Sequence, residues 1–401
     1  MGLEPMQPWR AATWLNRGAE LIASDPVLAQ RLIGQGIRRE PTQGIGWFNL
    51  GLALHQQRRI PAAIRAYRQA LASDDPPVAE ATRNLAQDLL LSGDFQAGWS
   101  LYETRFRGAS GSAFAIYQHH YGPAWTGFND PRPCDQLLVV GEQGLGDTLQ
   151  FCRLIPKLHE RGIATSLFCP EPLAPLLREG SSLGEISLML TGQGAGVRWC
   201  PLLSLPHRLG LDGASIPGAD GYLRADPARV DQWRQRLQRQ PSKRLIALHW
   251  QGNPGFERKL YSKGRSMPFE AWLGLQDLDN VEFLSIQKGS GSDQLRLDAG
   301  LPFVAGQAAF DASFDFRDTA AALANCDLLL SADSSVVHLA GAMGVPTWVA
   351  LSWVPEWRWG LEGTTTPWYT SARLFRQPRR GDWASVVQAM ALELRQPVAM
   401  P

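Results

Sequence analysis

At 401 residues, 44% of them hydrophobic, the chain is long enough for two or three domains with cores of their own. Lysine and arginine number 39 against 38 acidic residues, a formal charge of +1, and the densest basic cluster, Arg376 to Arg380, holds three arginines. The basic excess that a nucleic-acid partner demands is missing. Five cysteines lie far apart with no C-x-x-C pair, which excludes a disulfide framework and a thiolate zinc site. The amino terminus, MGLEPMQPWRAATW, lacks a leader-type apolar core, and no apolar run approaches the roughly 18 residues of a membrane span. The expectation is a cytoplasmic protein that does not span a membrane.

Residues 10–107 are rich in helix formers and carry a repeat. Trp47, Leu50, Gly51, Leu54, Ala63, Tyr67 and Ala70 fall at offsets of 0, 3, 4, 7, 16, 20 and 23, and the turn SDDPP (73–77) follows. That alternation of large and small residues resembles the tetratricopeptide repeat, whose period of about 34 residues packs two helices closely. One period earlier stand Ala29, Ile33, Gly36 and Pro41. One period later, after a slip of one residue, stand Leu85, Ala86, Leu89, Gly98 and Tyr102. Three helical hairpins stacked as a short solenoid are expected, with a plain amphipathic bundle as the alternative. Such arrays bind a protein or peptide and carry no chemistry themselves.

Residues 108–135, with GASGS, His119-His120 and PRP, read as an irregular connector. Adjacent histidines point apart on a helix or strand, so the pair is not read as a metal site.

From 136 onward apolar runs at 136–140, 164–168, 245–249, 281–286, 327–331 and 346–351 alternate with helical patterns at 147–160, 225–238, 268–276, 317–325 and 335–343. This alternation predicts parallel sheets wound with helices. The polar stretch QRQPSKR (238–244) divides them, giving expected domains 136–240 and 241–401, the second ending in a helix, with a cleft between them.

The first of these strands runs into VVGEQGLGDTLQFC (139–152). Strand, glycine turn and helix in that order usually seat a phosphate on free N–H groups. Here Asp147 stands where a P-loop has lysine, and Gly141, Gly144 and Gly146 are spaced G-x-x-G-x-G rather than as the dinucleotide fingerprint. The acid at this turn must serve another purpose.

Ligands of such sheets sit at the strands' carboxyl ends. Those ends are polar: His249 to Asn253 and Gly255 after one strand, Gln287-Lys288-Gly289 after the next, and Asp333-Ser334-Ser335 after the third, with His338 in the helix that follows. A hydroxyl-rich helix N-terminus attracts a diphosphate, and Lys288 or Arg265 can supply positive charge. Helix capping alone also accounts for Asp333 and Ser334.

The ordered blocks GEQGLGDTLQF, PLLSLP, LHWQGNP, SIQKG, DFRDTAAALANCDLLLSADSSVVHLAGAMGVPTWV and PEWRW resemble one arrangement: tetratricopeptide repeats fused to a glycosyltransferase domain of the ADP-heptose:lipopolysaccharide heptosyltransferase type. The resemblance implies an α-helical solenoid followed by an α/β GT-B fold, two Rossmann-like domains facing a cleft, the nucleotide-sugar donor mainly on the second and the acceptor on the first. It implies inverting transfer without a bound metal or resident cofactor. Gly146-Asp147 matches the catalytic Gly-Asp of that family, making Asp147 the general base at a cleft loop with Gly144 and Gly146. Asn253, Arg265, Gln287, Lys288, Asp333, Ser334, Ser335 and His338 are the candidate donor-binding residues. Repeats are absent from the lipopolysaccharide enzymes, which points to a protein or peptide acceptor.

Asp277-x-Asp279 sits at a helix end and reads as a polar turn rather than a metal motif. Trp353, Trp357, Trp359 and Trp368 fit sugar stacking and core packing equally. A non-catalytic repeat scaffold with a degenerate transferase domain is the rival from another class, and a dinucleotide-dependent oxidoreductase is weakened by the glycine spacing.

Overall fold

The computed structural model describes residues 10–106, 114–181, 183–187, 196–213, 215–216, 221–258 and 260–396. The chain forms two compact units. The first runs to Ile116 and takes in Gly210–Gly213 and Val354–Leu361.

The first unit is a run of six helices: α1 (Ala11–Leu21), α2 (Pro26–Arg39), α3 (Gly44–Gln56), α4 (Ile60–Leu71), α5 (Val78–Leu91) and α6 (Phe95–Tyr102). They pack as the pairs α1–α2, α3–α4 and α5–α6, and each pair leans on the next. Asp25 and Asp94 cap α2 and α6 by accepting from Leu28 N (2.9 Å) and Ala97 N (3.2 Å). The small and large residues of the repeat do what their spacing predicts: Ala63, Tyr67 and Ala70 are fully buried between α3 and its neighbours. Inside the array His55 Nδ1 lies 2.7 Å from Asp88 Oδ1, tying α3 to α5. The segment Val354–Leu361 is fastened here as well. Trp357 stands edge-on to Trp99 at 5.0 Å, and Arg58 donates to the Leu361 carbonyl. The GASGS stretch lies outside the described residues.

The second unit begins at Tyr117, within α7 (Ala115–Tyr121), so the connector is partly helical. Tyr117 packs on Trp199 at 5.4 Å, while His119 and His120 are exposed. The stretch after α7 is held by Arg132, which pairs with Asp130 and donates to the carbonyls of Pro123 and Ala124.

A four-stranded parallel sheet follows. Its elements are β1 (Gln136–Val140), α8 (Leu145–Phe151), α9 (Ile155–His159), β2 (Ala164–Phe168), α10 (Ala174–Gly180), β3 (Glu185–Ser187), β4 (Val197–Pro201) and α11 (Leu205–Arg208), in strand order β3-β2-β1-β4. Then come α12 (Pro227–Leu237), β5 (Arg244–His249), β6 (Val281–Ser285), α13 (Gln307–Asp311), α14 (Phe316–Leu323), β7 (Leu328–Ala332), α15 (Ser335–Met343), β8 (Thr347–Leu351), β9 (Ala372–Arg376) and α16 (Trp383–Leu394). These strands make a second parallel sheet, β6-β5-β7-β8-β9. The fold is therefore a helical repeat array followed by two parallel α/β layers. The buried strands are continuous apolar runs because helices cover parallel sheets.

Two expectations need correction. The pattern at 268–276 folds as a 3-10 helix, Phe269–Leu275, whose Phe269, Trp272 and Leu275 pack with α16 in the second core. The boundary at 240 assigns α12 to the first sheet, but α12 packs on α13 and α14. Arg229 and Trp233 both donate to Asp318 Oδ1, at 2.8 and 3.1 Å, and Trp233 meets Phe310 edge-on. Its packing places α12 with the second layer.

Candidate functional site

In a doubly wound sheet the crevice opens where strand order reverses direction. In the first sheet this switch point lies between β1 and β4. Glu142 Oε1 bridges it by accepting from Leu203 N at 3.1 Å. Beyond β1 the Gly141 N–H bonds Phe168 O (2.7 Å), Gln143 takes a left-handed φ of 62°, and Gly144 becomes the N-cap of α8. Asp147, half-buried in the first turn, accepts from Gly144 N at 2.8 Å. The carboxylate thus closes its own helix end, as acids in a first turn do.

In the second sheet the switch point lies between β5 and β7. Register sets His249 beside Ser331, and His249 Nδ1 is 3.1 Å from Ser334 Oγ and 3.5 Å from Ser331 Oγ. Burial holds the imidazole neutral, its pKa lowered to about 3. Asp333 is buried, and its Oδ2 lies 3.1 Å from Arg265 Nε, a contact of charge rather than an aligned hydrogen bond. Arg265 also donates to the Asp333 carbonyl at 3.3 Å. Arg265, a quarter exposed, is thereby pinned at the foot of α15. Ser334 is the N-cap of that helix and Ser335, half-buried, its first residue.

Three of the expected donor residues are otherwise engaged. Gln287 Oε1 accepts from Trp250 N and Gln251 N, and its amide donates to the carbonyls of Gln251 and Ser290. All its hydrogen-bonding positions are occupied, so it ties the β5 and β6 tips together rather than facing a ligand. Asn253, exposed, accepts from Gly255 N at 2.8 Å and shapes its own turn. Lys288 donates to the Phe310 carbonyl, with its ammonium 4.1 Å from the Phe310 ring and 5.3 Å from that of Phe314. Burial lowers its pKa. Its charge is directed at α13.

The two switch points meet. Helices α8 and α15 pack on each other, with Gly146 of α8 close against Ser335 and His338 in the first turn of α15. A Cβ on Gly146 would stand 2.7 Å from His338 Cδ2 and 3.2 Å from Ser335 Cα. Ser335 and His338 thus stand against Gly146, the residue before Asp147 in the chain.

The sequence reading placed His249 at a polar strand end without giving it a role, and it missed the aromatic residues behind His338. His249 closes an apolar strand run, a visible signal. Tyr369 and Tyr222 carried none. Trp357, Trp359 and Trp368 are buried, which assigns them to packing. Among the described residues no three His, Cys, Asp or Glu side chains gather as a metal-ligand set, and no helix is long and apolar enough to cross a membrane.

The tetratricopeptide-repeat profile matches residues 21–76 and 56–105. Protein FlbA of Caulobacter vibrioides is 26% identical over 418 residues, covering 97% of this chain and 67% of FlbA. The Escherichia coli ADP-heptose lipopolysaccharide heptosyltransferase II superposes with a TM-score of 0.39 at 13% identity, over 64% of this chain and 99% of that one. The glycosyltransferase of family 9 from Veillonella parvula gives 0.45 at 12% identity, over 61% of this chain and 86% of that one.

Proposed function

We propose that the protein is a glycosyltransferase that moves a sugar from a nucleotide-sugar donor to a hydroxyl of a protein or peptide recruited by the helical repeats. One observation carries this reading: the switch points of two parallel sheets meet at Gly146 and His338. In this reading the carboxylate that follows Gly146 in the chain works beside the N-terminus of α15, which has serines and a fixed arginine at its foot.

In this mechanism Asp147 takes the proton of the acceptor hydroxyl, whose oxygen bonds the anomeric carbon from the face opposite the diphosphate. The bond from that carbon to the diphosphate oxygen breaks, the electron pair leaves with the nucleoside diphosphate, and the configuration inverts. The departing charge is met by the first-turn N–H groups of α15, by Ser334, Ser335 and His338, and by the Arg265 guanidinium. Asp333 holds Arg265, and Gln287 and Asn253 hold the strand tips, so their contribution is to the shape of the donor face. With these groups meeting the diphosphate, the reading assigns no metal and no resident cofactor, and it places the enzyme in the cytoplasm.

The test is a thermal-shift screen with UDP, GDP, ADP, TDP and CMP and their sugars, with EDTA present. A ligand at 100 times its dissociation constant adds about 2.7 kcal/mol of stability. A shift with one nucleoside diphosphate series names the donor class; no shift with any of them sinks the reading. Once a donor is known, Asp147→Asn is expected to keep diphosphate binding and to lose about 100-fold or more in transfer. Loss of binding instead would move Asp147 into the donor site.

The bond from Gly144 N to Asp147 favours a second reading, in which the acid is only a helix cap and the chain is a non-catalytic scaffold working through its repeats.

A further inference from the structure

Charge is unevenly spread along the helical repeats. Residues 10–72, which make the first two hairpins, hold nine arginines, no lysine and three acidic residues, a net +6 against +1 for the whole chain. The third hairpin reverses the sign, with two arginines against six acidic residues over 73–106. The three acids of the first stretch are already engaged. Glu20 pairs with Arg17 at 2.7 Å, Asp25 caps α2, and Glu40 accepts from the Gln43 amide. Arg31, Arg38, Arg65 and Arg68 are exposed, and their side chains make no hydrogen bond or ion pair among the described residues.

Helical spacing sets these arginines on two lines. Leu28, Arg31, Gln35 and Arg38 recur along α2 at steps of three and four residues, as do Pro61, Arg65 and Arg68 along α4. The buried residues, Ile33 and Gly36 on α2 and Ala63, Tyr67 and Ala70 on α4, lie on the opposite sides. Short turns make α2–α3 and α3–α4 antiparallel neighbours, so α2 and α4 run in the same direction. Their starts are tied together. Gln30 Oε1 on α2 accepts from Gln57 Nε2 at 3.0 Å and from Arg59 at 3.1 Å, and Gln57 also donates to the Pro26 carbonyl at 2.9 Å. The partner of Arg59 is a neutral carboxamide, so that exposed guanidinium adds its charge to the same face. Val27 and Leu28, 48% and 40% exposed, bring apolar surface beside Arg31.

We infer that this face of α2 and α4 binds an acidic segment of a partner protein, one in which carboxylates alternate with apolar residues. The inference rests on the recruiting role given to the repeats and is independent of the chemistry at Asp147. Guanidinium matches carboxylate through two parallel N–H···O bonds. Like charges gathered on one face without counter-charge repel one another, and an acidic partner relieves that repulsion while steering its own approach. Stacked helical pairs present extended surfaces of this kind to proteins. The apolar pair at the start of α2 favours a polypeptide over a nucleic acid, whose phosphate backbone has no use for it.

The test is fluorescence anisotropy of the full chain with a labelled peptide of repeating Glu-Glu-Leu units, nucleotide omitted. The wild type is expected to bind, and to weaken about tenfold or more as salt rises from about 0.1 M to about 1 M and the screening length shrinks from about 10 Å to about 3 Å. Arg31→Glu combined with Arg65→Glu is expected to bind about tenfold more weakly. Both positions are exposed in helix interiors, and glutamate matches arginine in helix propensity, so the melting temperature should hold. If that variant does not fold, Arg31→Gln with Arg65→Gln, which only removes the charge, should show a smaller loss in the same direction. Arg234→Glu with Arg296→Glu makes the same charge change at exposed sites of the second unit and should bind as the wild type does. No binding by the wild type overturns the inference, as does equal binding of a Gln-Gln-Leu peptide or an equal loss in the Arg234 and Arg296 variant. Tighter binding of an RNA oligonucleotide, lost on changing Arg31 and Arg65, overturns it in favour of a nucleic acid. Because no nucleotide is present, failure here leaves the donor screen standing, and failure of that screen leaves this surface standing.

Discussion

Gly146 and His338 touch: the glycine on α8 leaves just enough room for the Cδ2 edge of the imidazole on α15. The contact is tight enough that any side chain on Gly146 must separate the helices. Gly146→Ala is expected to lower stability by about 1–3 kcal/mol, the usual cost of overpacking. It should also weaken whatever nucleoside diphosphate stabilises the wild type. A melting temperature and ligand shift equal to the wild type's would show that the approach is looser than described.

Arg265 and Lys288 separate two sources of positive charge. Arg265→Ala is expected to weaken nucleoside diphosphate more than nucleoside. It should also cost about 1–3 kcal/mol, because Asp333 is left buried without its counter-charge. Lys288→Met is expected to leave diphosphate affinity near the wild type's, since that ammonium already serves the Phe310 carbonyl. Calorimetric titration of both variants checks the pair, and a larger loss at Lys288 would reverse the assignment.

His249 makes stability depend on acid. Its folded pKa, about 3, lies below the ordinary 6.5, so between those values the unfolded chain binds a proton that the folded chain refuses. Stability from this residue is therefore complete above pH 6.5. It falls as pH drops towards 3, with a limiting slope of about 1.4 kcal/mol per pH unit. Denaturant melts of wild type and His249→Asn from pH 7 to 4 should differ by this slope; parallel curves would refute it.

Trp357 and Trp99 pack edge to face within the helical unit. Either residue changed to alanine is expected to cost about 3–5 kcal/mol. The double variant should cost clearly less than the sum, because both single changes remove the same contact. Additive losses in a double-mutant cycle would mean that the rings do not support each other.

Local pattern determined much of this protein. The repeat offsets around Gly51 and Tyr67 specify helix pairs because close packing of two helices demands small residues at fixed spacing. The apolar runs at 136–140, 164–168, 245–249 and 327–331 specify strands because a parallel sheet buries both faces. The polar tips and the acid at Asp147 marked the strand ends where the candidate site lies. Tertiary structure decided what local pattern does not encode. It made β3 from the short run EIS, gave α12 to the second layer through Asp318, and drew Val354–Leu361 into the helical unit. It turned Lys288 away to α13 and spent the amide of Gln287 on backbone. Above all it set Tyr369 behind His338, 31 residues apart in the chain, and Arg153 against Trp368, 215 apart. Periodicity reports which face of an element is buried. Which partner meets that face depends on how the sheets wind and pack, and the orientation of His338 is a property of that packing.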